Sequence, residues 1–214
     1  MNHALQLPRP GNHPLAAALL LSAGLLLAQS PVLAQGKAAA KPAATVPAAA
    51  QLQAAQSELG FAIRQMGVPV EGRFKRFEAQ LSFDPKKPEA GRVAFNVDLT
   101  SATMGDAAID AEMVKPAWFD AKKASQASFQ SSAIKALGGG RYEVSGKLSL
   151  KGQSRDVVVP LTLSQSGATT TASGSFVLKR LEFKIGDGEW SDTSMVANEV
   201  QVKFKLAFTG IAAL

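Results

Sequence analysis

The chain has 214 residues, 23 Lys and Arg against 17 Asp and Glu for a net charge of +6, two histidines and no cysteine. Without cysteine there is no disulfide, no thiolate nucleophile, no Cys-held zinc and no c-type haem attachment. The two histidines, His3 and His13, precede an apolar run and share its fate.

That run, Leu15 to Leu27, leads to Val32-Leu33-Ala34, the small-residue pattern of a secretory signal peptide cleaved after Ala34. It is shorter than the ~20 helical residues that a hydrocarbon core requires, so residues 1–34 are expected to be a signal peptide. Cleavage removes both histidines, and with them Ser-His-Asp and Cys-His catalysis and histidine-held metal. It also removes Arg9 and no acid, lowering the net charge by one. With no cysteine after the run to accept a lipid anchor, the expected product is exported, soluble and without a membrane span. Residues 35–53, rich in Ala, Pro and Lys with no alternation, are expected to be a disordered linker, and 54–214 the folded domain.

Within the domain the apolar period is two. Leu59, Phe61 and Ile63 alternate with Gly60, Ala62 and Arg64; Val93, Phe95, Val97 and Leu99 alternate with Arg92, Ala94, Asn96 and Asp98. Tyr142 to Leu150, Val157 to Leu163 and Val200 to Phe208 repeat the pattern. Side chains alternate across a strand, so each segment has one apolar face, as antiparallel strands with one wet side do. Strands are predicted over 57–65, 70–84, 91–100, 126–136, 140–151, 155–165, 168–180 and 197–210. Turn residues separate them: Asp84-Pro85 to Gly91, Gly138-Gly139-Gly140, Lys151 to Ser154, and Ser166-Gly167. Between the third and fourth strands Thr103 stands at capping-box spacing from Asp106, and Ile109 and Met113 share a face, which predicts one short helix. Eight antiparallel strands of this length favour an all-β barrel over a sandwich, and a barrel of that size can hold one small ligand.

The inward parity carries Phe61, Phe83, Phe95 with Val97, Phe129, Leu148, Leu150, Phe176, Phe204 and Phe208. Phe74, Phe77, Trp118, Phe119, Phe183 and Trp190 stand near ends or turns. These residues serve equally as a packed core or as the wall of an apolar cavity. The same parity turns Arg180 inward at a strand end, where its guanidinium needs a phosphate, a quinone oxygen, or an acid such as Glu182, Asp187 or Glu189.

Other constellations carry little chemistry. Asp106, Asp110 and Glu112 fit a helix N-terminus favoured by the macrodipole, and neither catalysis nor metal binding is expected of them. Gly138-Gly139-Gly140 and Gly186-Asp187-Gly188 lack the Lys-Ser or Lys-Thr of a phosphate loop and read as hairpin turns. The basic groups Arg73, Lys75, Arg76 and Lys86-Lys87 form no helical stripe, so no nucleic-acid partner is expected.

The ordered set Phe83-Asp84-Pro85, Ala117-Trp118-Phe119-Asp120, Ser128-Phe129-Gln130-Ser131, Tyr142 to Gly152 and Arg180 to Asp192 resembles the YceI-like family over nearly all of 57–210. The chain departs from that family at Ser125, where Pro is usual, and at Glu182, where Asp is usual. The resemblance implies a lipocalin-like barrel in the bacterial periplasm that holds a polyisoprenoid, a quinone or a similar lipid, with no catalytic residue and no cofactor. With such a ligand, the residues of inward parity and those near the strand ends become the lipid-binding candidates: Phe61, Phe83, Phe95, Val97, Trp118, Phe119, Phe129, Leu148, Leu150, Phe176, Phe183, Trp190 and Phe204, with Arg180 a head-group candidate beside its expected role in a structural ion pair. The Gly-Glu-Trp ending also looks like the branch found with cytochrome b561-type membrane redox proteins, which implies a second role as partner of such a protein. An interaction domain with a filled core and an isoprenoid-modifying enzyme are the remaining alternatives.

Overall fold

The computed structural model describes residues 49–214; the expected signal peptide over 1–34 and positions 35–48 of the expected linker lie outside the described residues. The strands are β1 (Ala49–Leu52), β2 (Glu58–Gln65), β3 (Val68–Phe74), β4 (Phe77–Ser82), β5 (Arg92–Asp98), β6 (Ala102–Thr103), β7 (Gln126–Gly138), β8 (Arg141–Leu150), β9 (Gln153–Ser166), β10 (Thr169–Lys179) and β11 (Val196–Thr209). Among the described residues there is one α-helix, α1 (Ala107–Met113).

These strands make an eight-stranded barrel because two of its staves are broken. β1 and β2 are two lengths of one stave with a 3-10 turn between them, and β3 and β4 are two lengths of the next. β1 pairs with β4 and β2 with β3, while β11 pairs with β2 over Val196–Lys205 and with β1 at Phe208 and Thr209. From β4 the order runs β5-β7-β8-β9-β10-β11, every pairing antiparallel, and the sheet closes on itself. In β11, Val200, Val202, Phe204, Leu206 and Phe208 face the interior while Gln201, Lys203 and Lys205 are exposed. A slip of one residue would drive lysines inside, so burial of one face sets the register.

Two expectations are corrected here. Ala49–Leu52, inside the stretch expected as linker, is a strand of the barrel; it has no alternation of its own and is held by ladders on both edges. The helix is capped by Asp106, whose Oδ1 accepts from the N–H groups of Ala108 and Ile109 at 2.8 and 3.1 Å. Thr103 is instead a buried residue of β6 whose Oγ1 accepts from Gly105 N. Asp110 accepts from Met104 N at 2.8 Å and Glu112 pairs with Lys115, so each helix carboxylate has a structural partner.

The β9–β10 ladder leaves a gap in the wall. β9 and β10 pair from Ser166↔Thr169 to Leu161↔Gly174 and no further, at the point where Pro160 has no N–H to donate. β10 continues against β11 to Lys179, and β9 continues against β8 to Gln153. Near its end the gap is bridged by Arg155, whose Nη2 donates to Glu182 O at 2.8 Å.

Candidate functional site

The barrel encloses a cavity of about 450 Å³. Its wall includes Phe61, Phe83, Phe95, Val97, Trp118, Phe119, Phe129, Leu148, Leu150, Phe176, Trp190 and Phe204 from the residues singled out by sequence, together with Phe208 and Arg180. Phe183 is the exception. It is 1% exposed and belongs to a buried cluster with Leu59, Leu99, Ala127 and Ile185, which line the cavity while Phe183 does not, and the Arg155 guanidinium lies 6.0 Å from its ring centre. It sits in a 3-10 turn (Arg180–Phe183), not on a strand, so strand parity does not apply to it.

Three inward glycines explain why the barrel has a lumen. Gly72, Gly146 and Gly174 each lie between wall residues of the same face (Val70 and Phe74, Val144 and Leu148, Ala172 and Phe176). A Cβ on Gly72 would come 2.3 Å from the Phe61 ring; on Gly146, 2.6 Å from the Phe129 ring; on Gly174, 2.7 Å from the Phe204 ring. Each Phe therefore lies over a neighbouring glycine, against the wall and out of the centre. The sequence carries a signal for this, since a glycine inside a strand marks close approach, but apolar periodicity does not register it.

One end of the cavity is hydrocarbon. Phe83 meets Tyr142 edge-on at 5.5 Å, and Ile134, Val144, Ala172 and Phe208 complete a cluster covered by Ile211 of the C-terminal tail. The opposite end holds Gln65, Glu112, Arg180 and the two tryptophans, whose rings are 5.5 Å apart. Among the wall residues only Gln65 and Ile109 are exposed, which places the mouth between the β2–β3 hairpin and α1. Sequence reading missed these rim residues because neither belongs to a run of large apolar side chains.

Arg180 is 1% exposed and all five of its N–H donors are used. Nε donates to Ala197 O at 3.0 Å; Nη1 to Ile185 O and Gly186 O at 2.9 and 2.6 Å; Nη2 to Trp190 O and Val196 O at 2.6 and 2.7 Å. Burial pushes its pKa down from the ordinary guanidinium value. The expected acidic partners Glu182, Asp187 and Glu189 do not bond it, and no N–H is left for a head group. Arg180 faces inward as parity required, but it gathers the carbonyls of 185–197 into a cap over the barrel end. Gly186 is part of that cap and not of a hairpin turn. Its φ is +61° and a Cβ there would stand 2.5 Å from Arg180 Nη1 and 3.1 Å from the Trp118 ring. Lys151 adds a second clasp, donating to Ala117 O and Lys184 O at 3.1 and 2.6 Å; desolvation lowers its pKa, partly countered by Asp187. Trp118 Nε1–H is buried and finds no acceptor.

The YceI-like domain model matches residues 51–208. A UPF0312 protein of Vibrio cholerae is 32% identical over 108 residues, 50% of this chain and 57% of that protein, so the chain spans little more than half the length of the curated relatives it matches. BcnA of Burkholderia cenocepacia, known from its crystal structure, is 45% identical with a TM-score of 0.72, covering 73% of this chain and 99% of BcnA. A polyisoprenoid binding domain from Saccharophagus degradans, implicated in plant cell wall breakdown, is 18% identical with a TM-score of 0.62, covering 75% of this chain and 98% of that domain. At 18% the likeness is one of fold.

Proposed function

The chain belongs to the YceI-like domain family, and on that premise we propose that it is an exported, periplasmic binding protein that holds the apolar tail of a polyisoprenoid, quinone or similar amphiphile. The observation that carries this reading is the polarity of the lumen: hydrocarbon at the deep end, and Gln65, Glu112 and the tryptophans toward the mouth. A long lipid fits that gradient with its tail inward and its polar end at the rim. Burial alone supplies the affinity, since transfer from water contributes about 0.8 kcal/mol per CH₂, or roughly 3 kcal/mol per five-carbon unit before ordering costs. A binding role is also favoured over catalysis by the chemistry of the wall. Its ionisable groups are Glu112, engaged with Lys115, the buried Tyr142, and Arg180, whose donors are all spent on carbonyls. The polyisoprenoid-binding name of the S. degradans domain, which shares this fold, points to the same ligand class.

The test is mass spectrometry of the organic extract of natively purified protein, against a sample denatured and washed before extraction. A stoichiometric prenyl lipid or quinone is expected only in the native sample. A quinone would also favour the role beside a membrane redox protein. An extract without lipid, together with no uptake of added prenols, would refute the reading and leave the interaction-domain alternative.

A further inference from the structure

The mouth is ringed by apolar side chains that stand in water. Met66 is 73% exposed, Val68 61%, Met195 46% and Ile109 44%. They converge: Met66 N–H donates to Met195 O at 2.8 Å, Gln65 pairs with Val196 across the ladder, and Gln65 and Ile109 are the exposed residues of the cavity wall. Met66 and Gly67 form the tip of the β2–β3 hairpin with φ of +50° and +82°. Asn or Gly is the usual residue at such a position, because a side chain with φ above zero is sterically disfavoured. The chain carries a large apolar side chain at a place where geometry selects a small polar one.

We propose that this collar is a membrane-docking surface, which inserts among the acyl chains of a bilayer so that a lipid passes between membrane and lumen without crossing water. The proposal rests on the lipid-binding reading. Its occupant follows from continuity: the collar's apolar surface runs into the apolar lumen at Ile109, and a ligand that partitions strongly out of water needs an unbroken apolar path. The charges at the rim do not select an anionic surface. Glu112 is paired with Lys115, and the remaining charges offset one another: Arg64 stays cationic while donating to Gly67 O at 3.1 Å, and Asp192, three residues before Met195, is held as an anion by the Ser194 hydroxyl and N–H. Docking is therefore driven by apolar insertion and is insensitive to salt, unlike an electrostatic attachment. Exposed Val158 and Val177 are on β9 and β10 with the outward parity of those strands, outside the cavity wall, and take no part.

The experiment measures sedimentation of the protein with phosphatidylcholine vesicles and with phosphatidylcholine–phosphatidylglycerol vesicles, at low and high salt. It also follows uptake of a dansyl-tagged prenol from those vesicles by energy transfer from Trp118 and Trp190. Wild type is expected to bind both vesicle types at both salt concentrations. The double variant Met66→Asp/Met195→Asp should lose binding and slow uptake at least about tenfold, since Asp is tolerated at φ above zero and the fold is untouched. Val158→Asp/Val177→Asp should behave as wild type. No vesicle binding by wild type, unchanged binding and uptake in the collar variant, or binding abolished by salt would each overturn the proposal. Loading of the prenol from detergent, without vesicles, separates the two readings: wild type that fails to load overturns lipid binding, whereas wild type that loads from detergent but not from vesicles overturns docking alone.

Discussion

Arg180→Met tests whether the guanidinium is the frame of the barrel's cap. The substitution keeps the bulk of the aliphatic stem and removes five hydrogen bonds, leaving the carbonyls of Ile185, Gly186, Trp190, Val196 and Ala197 without their donor. A hydrogen bond to a charged group contributes roughly 1.5–3 kcal/mol, so five set a ceiling on the order of 10 kcal/mol. Much of that is offset, because the mutant no longer desolvates a cation and its loop relaxes toward water. The carbonyls left behind are neutral, and each one that water does not reach costs about 1–3 kcal/mol, so the net loss is roughly 3–5 kcal/mol. For a domain of this size each kcal/mol lowers Tm by about 2–4 °C, so the melting point should drop by roughly 10–15 °C. Arg180→Lys has three donors for five acceptors and should fall between. Thermal melts by circular dichroism read the stability, and amide exchange over 185–197 reads where it is lost. Arg180→Met within about 1 kcal/mol of wild type, or Arg180→Lys equal to wild type, would refute the cap. A Met variant that melts normally but loses prenol retention would return Arg180 to the head-group role.

Gly72→Ala should fold and bind less prenol, because the atoms nearest its Cβ are the tip of the Phe61 ring, which must turn into the lumen, whereas Gly174→Ala, whose Cβ would also stand 2.3 Å from the backbone oxygen of Pro160, should lose about 1–3 kcal/mol; equal melts for the two variants would contradict the geometry. Trp118→Phe deletes a buried N–H with no acceptor, and relief of about 1–3 kcal/mol of desolvation should nearly cancel the lost ring area, so a fall in stability above about 2 kcal/mol would mean that the indole has a water partner. The pKa of Asp98 is held below the usual carboxylate value by its bond from the Thr100 hydroxyl and then by Arg76. A depressed carboxylate stabilises above its unfolded pKa and loses that contribution as pH falls through the folded one. Asp98→Asn should therefore melt lower than wild type near neutrality and converge with it in acid, once the pH has fallen through the folded pKa; a gap that persists in acid would place the effect elsewhere.

The strands were legible where burial of one face imposed a period. The segment expected over 155–165 is β9 at 153–166, and that over 197–210 is β11 at 196–209, because a half-buried stave writes its parity into the chain. What remained unread depends on partners that leave no such mark. Ala49–Leu52 is a strand only because Ser82, Leu81 and Gln80 on one side and Thr209 and Phe208 on the other complete its ladders. The stretch expected as one strand over 70–84 breaks between Phe74 and Phe77, since its two halves pair with different neighbours, β2 with β6 and β1 with β5. Arg180 was placed on the correct face and given the wrong partners for the same reason: backbone carbonyls up to 17 residues away accept its bonds, and any residue can supply a carbonyl. Whether the interior was filled or hollow turned on small residues. Phe61, Phe129 and Phe204 suit a solid core as well as a cavity, and the choice is made by the glycines beneath their rings. In a barrel of this kind the ligand space is thus encoded less by the aromatic residues that line it than by the absent side chains that let them lie flat.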